Sequence, residues 1–69
     1  MTAAKFDRIT VDPRQMNGEP CIRGMRLTVR RVLIYPNREE LFAEYPELVA
    51  EDVTQAIGFA VANIGFWVA

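Results

Sequence analysis

The stretch TVRRVLIYPNREELFAEYPEL, residues 28–48, predicts two short helices separated by a proline. Thr28 is a good N-cap residue for the first helix, and Pro36 ends it because proline disfavours helical backbone in the residue before it. Asn37 caps the second helix, and Glu40, three residues on, completes the spacing of a capping box. Pro46 then ends the second helix. The centre of the chain is therefore helical.

Beyond Pro46 the pattern predicts a third, longer helix from about Ala50 to Ile64. Glu51 and Asp52 open it, where carboxylates favour the positive end of the helix dipole. Its expected core-facing stripe has helical spacing and consists of Val53, Ile57, Ala60, Val61 and Ile64. Three helices with a tight connection between the second and third are typical of a helix-turn-helix core.

Before the helices the sequence predicts a β arm. Residues 5–12 form a short strand, Asn17-Gly18 is a turn signal, and a second strand runs from Cys21 to Val29. The strands pair either within the chain or across a dimer, and the sequence leaves both open. The expected fold is mainly α with a short N-terminal β arm, a three-helix, helix-turn-helix-like domain. We expect a single domain over residues 1–69, with a β arm or hairpin in 1–29 and helices with an apolar C-terminal tail in 29–66.

The amino-acid inventory argues against an enzyme. The 69 residues contain no His and no Ser, so no Ser–His or Cys–His nucleophile pair can form. The only cysteine, Cys21, excludes an internal disulfide and a zinc site of the usual kind. Cys21 is either a redox or nucleophilic thiol or, the favoured interpretation, a small buried hydrophobe. We therefore expect no catalytic residues, no metal and no cofactor.

Localisation is inferred from two segments. Residues 1–12 have no apolar run of the signal-peptide type, and the longest apolar stretch, residues 56–69, is shorter than the roughly 20 residues of a bilayer-spanning helix. We expect a cytoplasmic protein without membrane contact. A chain this small buries only about 60% of its unfolded surface, so self-association into a dimer or higher oligomer is expected to support it.

Charge is divided between the two halves of the chain. Residues 1–38 have a net charge of +5, whereas residues 39–69 have six acidic and no basic residues. Guanidinium groups suit phosphate oxygens, so the candidates for DNA contact are Arg23, Arg26, Arg30 and Arg31. The alternative is that these arginines pair with the acidic half of the same chain or of a second copy. The six carboxylates that offer a negative rim are Glu39, Glu40, Glu44, Glu47, Glu51 and Asp52.

The C-terminal run from residue 56 onward is apolar almost all round, more than a small domain can cover. The predicted interface for a partner or a second copy consists of Phe59, Ile64, Phe66 and Trp67. The alternative is that Phe59 and Trp67 complete the protein's own core.

Two segments carry a family resemblance: RITVDP (8–13) with NGEPCIRGMRL (17–27), and EELFAEYPEL (39–48) followed by EDV (51–53). Over about residues 8–63 the chain resembles the short bacterial proteins of domain-of-unknown-function family 433. The resemblance implies a helix-turn-helix-like domain with a β arm and no catalytic residues. It further implies an antitoxin of a type II toxin–antitoxin module, which neutralises a PIN-like ribonuclease toxin and binds its own promoter. A stand-alone DNA-binding regulator and a purely structural oligomer are the alternatives.

Overall fold

The chain folds into three helices behind a small antiparallel sheet, as seen in a computed structural model that describes residues 2–3 and 6–64. The elements, in chain order, are β1 (Thr2–Ala3), β2 (Phe6–Thr10), β3 (Cys21–Ile22), α1 (Val29–Ile34), α2 (Arg38–Glu44) and α3 (Ala50–Ala62). The fold is mixed α and β and mostly helical, which confirms the predicted fold class. Among the described helices, none is long and apolar enough to cross a membrane.

The sheet has the order β1-β2-β3, with both pairs antiparallel. β2 and β3 pair in the register Ile9 with Ile22 and Thr10 with Cys21. Their pairing lies within one chain, which decides between the two arrangements that the sequence left open. β1, which the sequence analysis did not predict, adds a short third strand beside β2.

The predicted second strand, Cys21–Val29, is wrong beyond Ile22 because the chain turns there. Arg23 (φ 45°) and Gly24 (φ 72°) both adopt left-handed backbone, and the Met25 N–H donates to the Ile22 carbonyl at 2.7 Å. Two consecutive positive φ angles under such a bond define a type I′ turn, which glycine favours. The strand therefore ends at Ile22, and the chain comes back to it.

The helices begin where the sequence predicts. The Thr28 hydroxyl accepts a hydrogen bond from the Arg31 N–H at 3.0 Å, and the Asn37 side-chain oxygen accepts one from the Glu40 N–H at 2.8 Å. At the start of α3, the Asp52 carboxylate accepts from the Val49 N–H at 3.0 Å. Each bond satisfies a backbone donor that the first helical turn leaves without a partner.

The core lies between the sheet and the helices. Helix α3 packs against both β2 and α1. Its buried side chains are Ile9, Ile22, Leu27, Val29, Val32, Leu41, Leu48, Val53, Ala56 and Phe59.

The predicted orientation of α3 is corrected by these contacts. Val53 is buried as expected, but Ile57, Val61 and Ile64 are 42%, 71% and 68% exposed. Phe59, predicted to be an interface residue, is instead buried and meets Phe6 edge to face, with ring centroids 5.7 Å apart. The alternative that Phe59 completes the protein's own core is therefore correct. An apolar helix offers several stripes of similar hydrophobicity, and packing against Phe6 of β2 selects this one.

Candidate functional site

The buried carboxylate of Asp52 joins the sheet to α3. The Arg8 Nη1 atom donates to it at 3.1 Å, and Arg23 donates twice, from Nε at 3.1 Å and from Nη2 at 3.0 Å. Asp52 is fully buried. Burial raises the pKa of this carboxyl, but the hydrogen bonds from Arg23, the Val49 N–H and Arg8 outweigh it, so the pKa lies below its ordinary value. We call Arg8, Arg23 and Asp52 the arginine–aspartate cluster.

Arg23 is held inside the chain by this cluster. Its Nη2 atom also donates to the Glu47 carbonyl at 2.7 Å, next to the start of α3. The hydrogen bond to Asp52, together with the charge of that carboxylate, raises the pKa of the guanidinium. Of the four arginines predicted to contact DNA, Arg23 thus follows the alternative interpretation, in which an arginine pairs with the acidic half of its own chain.

The polar side of α3 is occupied by contacts to the sheet as well. The Gln55 side-chain oxygen accepts from the Arg8 N–H at 2.9 Å, and its amide nitrogen donates to Asp7 at 2.8 Å. With Asp52 and Gln55 both bonded to β2, the first half of α3 serves to fasten the sheet. This arrangement does not favour α3 as a DNA-reading helix.

The other three predicted arginines come together at one groove of about 350 Å³, between the turn at Met16 and α1. Arg30 Nε donates to Glu19 Oε1 at 3.3 Å, and the Arg31 guanidinium lies over the Tyr35 ring, 5.6 Å from its centroid. We call this site the basic groove; it is lined by Met16, Glu19, Arg26, Leu27, Thr28, Arg30, Arg31 and Tyr45.

An exposed apolar face lies on the other side of the helices. Leu33 of α1 and Ile57 of α3 line one groove of about 230 Å³, with Arg38 also at its edge. Val61 follows Ile57 by four residues and continues the same side of α3, and the exposed Ile64 lies just past the end of the helix. We call Leu33, Ile57, Val61 and Ile64 the apolar face. Of the predicted interface residues, Ile64 lies on this face.

Two predicted interface residues, Phe66 and Trp67, lie outside the described residues. The helical pattern predicts Ile57 and Val61 as core residues, whereas the structure exposes both. The only sequence signal for their exposure is that the helix has apolar side chains on more sides than a small domain can cover.

The acidic half presents five of its six carboxylates to solvent. These are Glu39, Glu40, Glu44, Glu47 and Glu51. The sixth, Asp52, is buried in the arginine–aspartate cluster and is not part of a surface rim. The predicted negative rim is therefore smaller by one residue.

Cys21 is buried, and its thiol donates to the Glu19 carbonyl at 3.3 Å. Burial raises the pKa of the thiol, and the nearby Glu19 charge adds to the effect, so the group stays protonated at neutral pH. The thiolate is the reactive form, and these surroundings disfavour it. The interpretation of Cys21 as a small buried hydrophobe is the one that the geometry supports.

These features define a small α+β domain in which a buried arginine–aspartate cluster fastens a three-stranded sheet to the third of three helices. The chain belongs to the family described as "Protein of unknown function (DUF433)", whose family model matches residues 9–60. The identification from the two sequence segments is thereby confirmed.

A solved structure of the same family has this fold. The chain is 32% identical to a DUF433 member protein from Anabaena variabilis ATCC 29413, with a TM-score of 0.70 over 84% of the present chain. It spans 61% of the length of that protein. No curated protein matches the sequence.

Proposed function

We propose that the protein is a non-enzymatic antitoxin that binds and neutralises a PIN-like ribonuclease toxin. The observation that carries this proposal is the pair of exposed side chains Ile57 and Val61 along α3, with the exposed Ile64 just past its end. A folded domain gains nothing from aliphatic side chains left in water, whereas a partner that covers them gains about 25 cal/mol for each Å² removed from water. A helix that lays its apolar side into a groove of another protein is a common mode of recognition.

The exposed glutamates in the second half of the chain support a basic partner, and Arg38 is the charged residue that lines the groove at Leu33 and Ile57. After Asp52, the described part of α3 has no charged residue, so the apolar row is uninterrupted. The five exposed glutamates belong to the same half of the chain. A ribonuclease holds a polyanion, so its substrate surface is positive, and carboxylates opposite that surface would speed association and fix the register.

The test is co-expression with the product of the neighbouring gene, which this proposal requires to be a PIN-like ribonuclease, with cell survival as the readout. Val61→Glu adds a charge to the apolar face and is expected to abolish protection. Ala62→Glu is the matched control, because it adds the same charge one residue on, about 100° around the helix. Circular dichroism establishes that both variants fold. A folded Val61→Glu variant that protects as well as the original chain would overturn the proposal.

Without a toxin, we propose that copies of this chain cover the apolar face for one another, giving a homodimer or a higher oligomer. Light scattering at micromolar concentration should then give a mass above the 7.9 kDa of one chain. The same Val61→Glu substitution should return the mass to that of one chain. A monomeric wild type with a cooperative melt would contradict self-association.

A second candidate function, DNA binding in the cytoplasm, is favoured by the gathering of Arg26, Arg30 and Arg31 at the basic groove. Binding would be largely electrostatic, through phosphate contacts that fix position without reading sequence. Replacing the three arginines by Ala should weaken binding to promoter duplexes of any sequence. The salt dependence of the affinity should flatten by about one unit for each lost phosphate contact. An unchanged salt slope would refute this function.

A further inference from the structure

We propose that the basic groove binds one unpaired nucleotide by its phosphate, either as a free mononucleotide or as a unit of a single strand. The inference uses the same arginines as the second proposed function, DNA binding, and does not otherwise depend on it. It differs in its ligand, since a duplex is not what the groove is shaped to hold.

The charge of the groove favours a phosphate. The residues that line the groove include three guanidinium groups, those of Arg26, Arg30 and Arg31, and one carboxylate, that of Glu19. The bond from Arg30 Nε to Glu19 fixes the position of Arg30, and the site keeps an excess of positive charge. Guanidinium groups bind phosphate oxygens through paired, charge-assisted hydrogen bonds, which are about twice as strong as neutral ones.

The aromatic residues beside the arginines favour a base attached to that phosphate. Tyr45 forms part of the lining and meets Tyr35 edge to face, with ring centroids 6.2 Å apart. Arg31 lies over the Tyr35 ring, so its planar group is held in place before any ligand arrives. Proteins that bind single strands combine a positive groove with aromatic side chains on which bases stack.

The size of the groove separates a nucleotide from smaller and larger ligands. Its volume of about 350 Å³ lies within the range of roughly 300–1,000 Å³ that is typical of small-molecule sites. A phosphate ion alone would leave most of this space empty. A double helix keeps its bases stacked inside and offers only its backbone to a concave site, so the aromatic lining would be unused.

The experiment measures affinities for four probes: inorganic phosphate, AMP, a twenty-residue single strand of mixed sequence, and the same strand paired with its complement. AMP and phosphate are followed by amide chemical shifts, and the strands by fluorescence anisotropy. We expect AMP or the single strand to bind more tightly than phosphate and the duplex. A free-nucleotide site would bind AMP at least as well as the strand, whereas a strand site would prefer the strand.

The variants test whether the groove itself is responsible. Arg26→Gln and Arg31→Gln should each weaken binding of the preferred probe by about tenfold or more, the scale expected for losing a hydrogen bond to a charged group. Arg38→Gln is the matched control, because it also removes one guanidinium charge from the helical part of the chain. Arg38 lines the groove at Leu33 and Ile57, not the basic groove. Its substitution should change the affinity less than about twofold, because exposed charges contribute little at a distance in salt.

Three results would overturn the inference. An equal loss in Arg38→Gln would mean that net charge alone attracts the probes. Tight binding of the duplex alone would refute the proposal of an unpaired nucleotide as the ligand, and it would leave the proposed DNA-binding function in place. Failure of all four probes to bind would refute the inference and the DNA-binding function together.

Discussion

Replacing Asp52 by Asn keeps the size of the side chain but removes the charge on which the arginine–aspartate cluster depends. Three guanidinium hydrogen bonds and the bond from the Val49 N–H converge on this carboxylate. In the variant, the amide group brings a donor into a site surrounded by donors. Removing one partner of a buried ion pair costs roughly 3–5 kcal/mol, because the other charge is left unpaired.

The exposure of the arginines reduces this figure. The Arg8 and Arg23 side chains are 35% and 38% exposed, so water can solvate them again in part. We therefore expect Asp52→Asn to lower the free energy of unfolding by about 2–3 kcal/mol. A 69-residue domain has a total stability of roughly 3–10 kcal/mol. The variant should consequently lie close to the limit of folding.

Urea unfolding followed by circular dichroism measures the effect. With a slope of about 1 kcal/mol per molar urea for a domain of this size, the midpoint should fall by about 2–3 M. Glu51→Gln is the matched control, because it removes a carboxylate from the same helical turn but an exposed one, and it should cost less than about 1 kcal/mol. A loss for Asp52→Asn no larger than that for Glu51→Gln would refute the role given to the cluster.

The pH dependence gives an independent check on Asp52. The pKa of this carboxyl is lowered on folding, so its contribution to stability is complete above its unfolded value of about 3.9. That contribution is lost as the pH falls through the lower folded-state pKa. The difference in stability between the original chain and Asp52→Asn should be constant from pH 7 to about pH 5 and should shrink below about pH 4. A difference as large at pH 2 as at pH 7 would contradict the pairing.

Three further substitutions or reactions test other parts of the fold. Phe59→Ala should lower the free energy of unfolding in urea by about 3–4 kcal/mol, because it empties a core site and removes the ring contact with Phe6. A loss below about 1 kcal/mol would contradict the assignment of Phe59 to the core. Gly24→Ala should cost about 1–2 kcal/mol through its positive φ alone, since a Cβ there meets no atom within 4 Å, and Gly24→Asn should cost less. The Cys21 thiol should react with iodoacetamide only at the rate of global or local unfolding, because it is buried and protonated; rapid labelling of the folded protein would contradict this.

The parts of the fold that the sequence predicts are those decided by neighbouring residues. Thr28 and Asn37 cap helices because their side chains reach a backbone N–H three residues away, and that spacing is visible in the sequence. The strand at Phe6–Thr10 and the helix from Ala50 likewise follow from local pattern.

The parts that could not be predicted depend on residues far apart in the chain. The local pattern predicts Asp52 as a helix-opening carboxylate and as part of a surface rim, since nothing local indicates that Arg8 and Arg23 will reach it from 44 and 29 residues away. The prediction of which side of α3 is buried is wrong for a similar reason. An aliphatic helix has no polar side to indicate which of its sides faces water. The composition predicts a basic segment with Arg23, Arg26, Arg30 and Arg31, but it does not predict that Arg23 separates from the other three or that Ile57 and Val61 are exposed.

The left-handed backbone at Arg23 has a consequence for the order in which the molecule folds. This non-glycine conformation costs roughly 1–2 kcal/mol, and it is offset in part by bonds from the Arg23 N–H to the Arg8 carbonyl and from the Met25 N–H to the Ile22 carbonyl. The contacts to Asp52 and to the Glu47 carbonyl come from the start of α3, and loop closure over dozens of residues has to precede them. The turn therefore gains its full set of contacts only when the third helix packs against it. Protein chains still emerging from the ribosome would hold this turn by its local bonds alone until residue 52 is free to reach it.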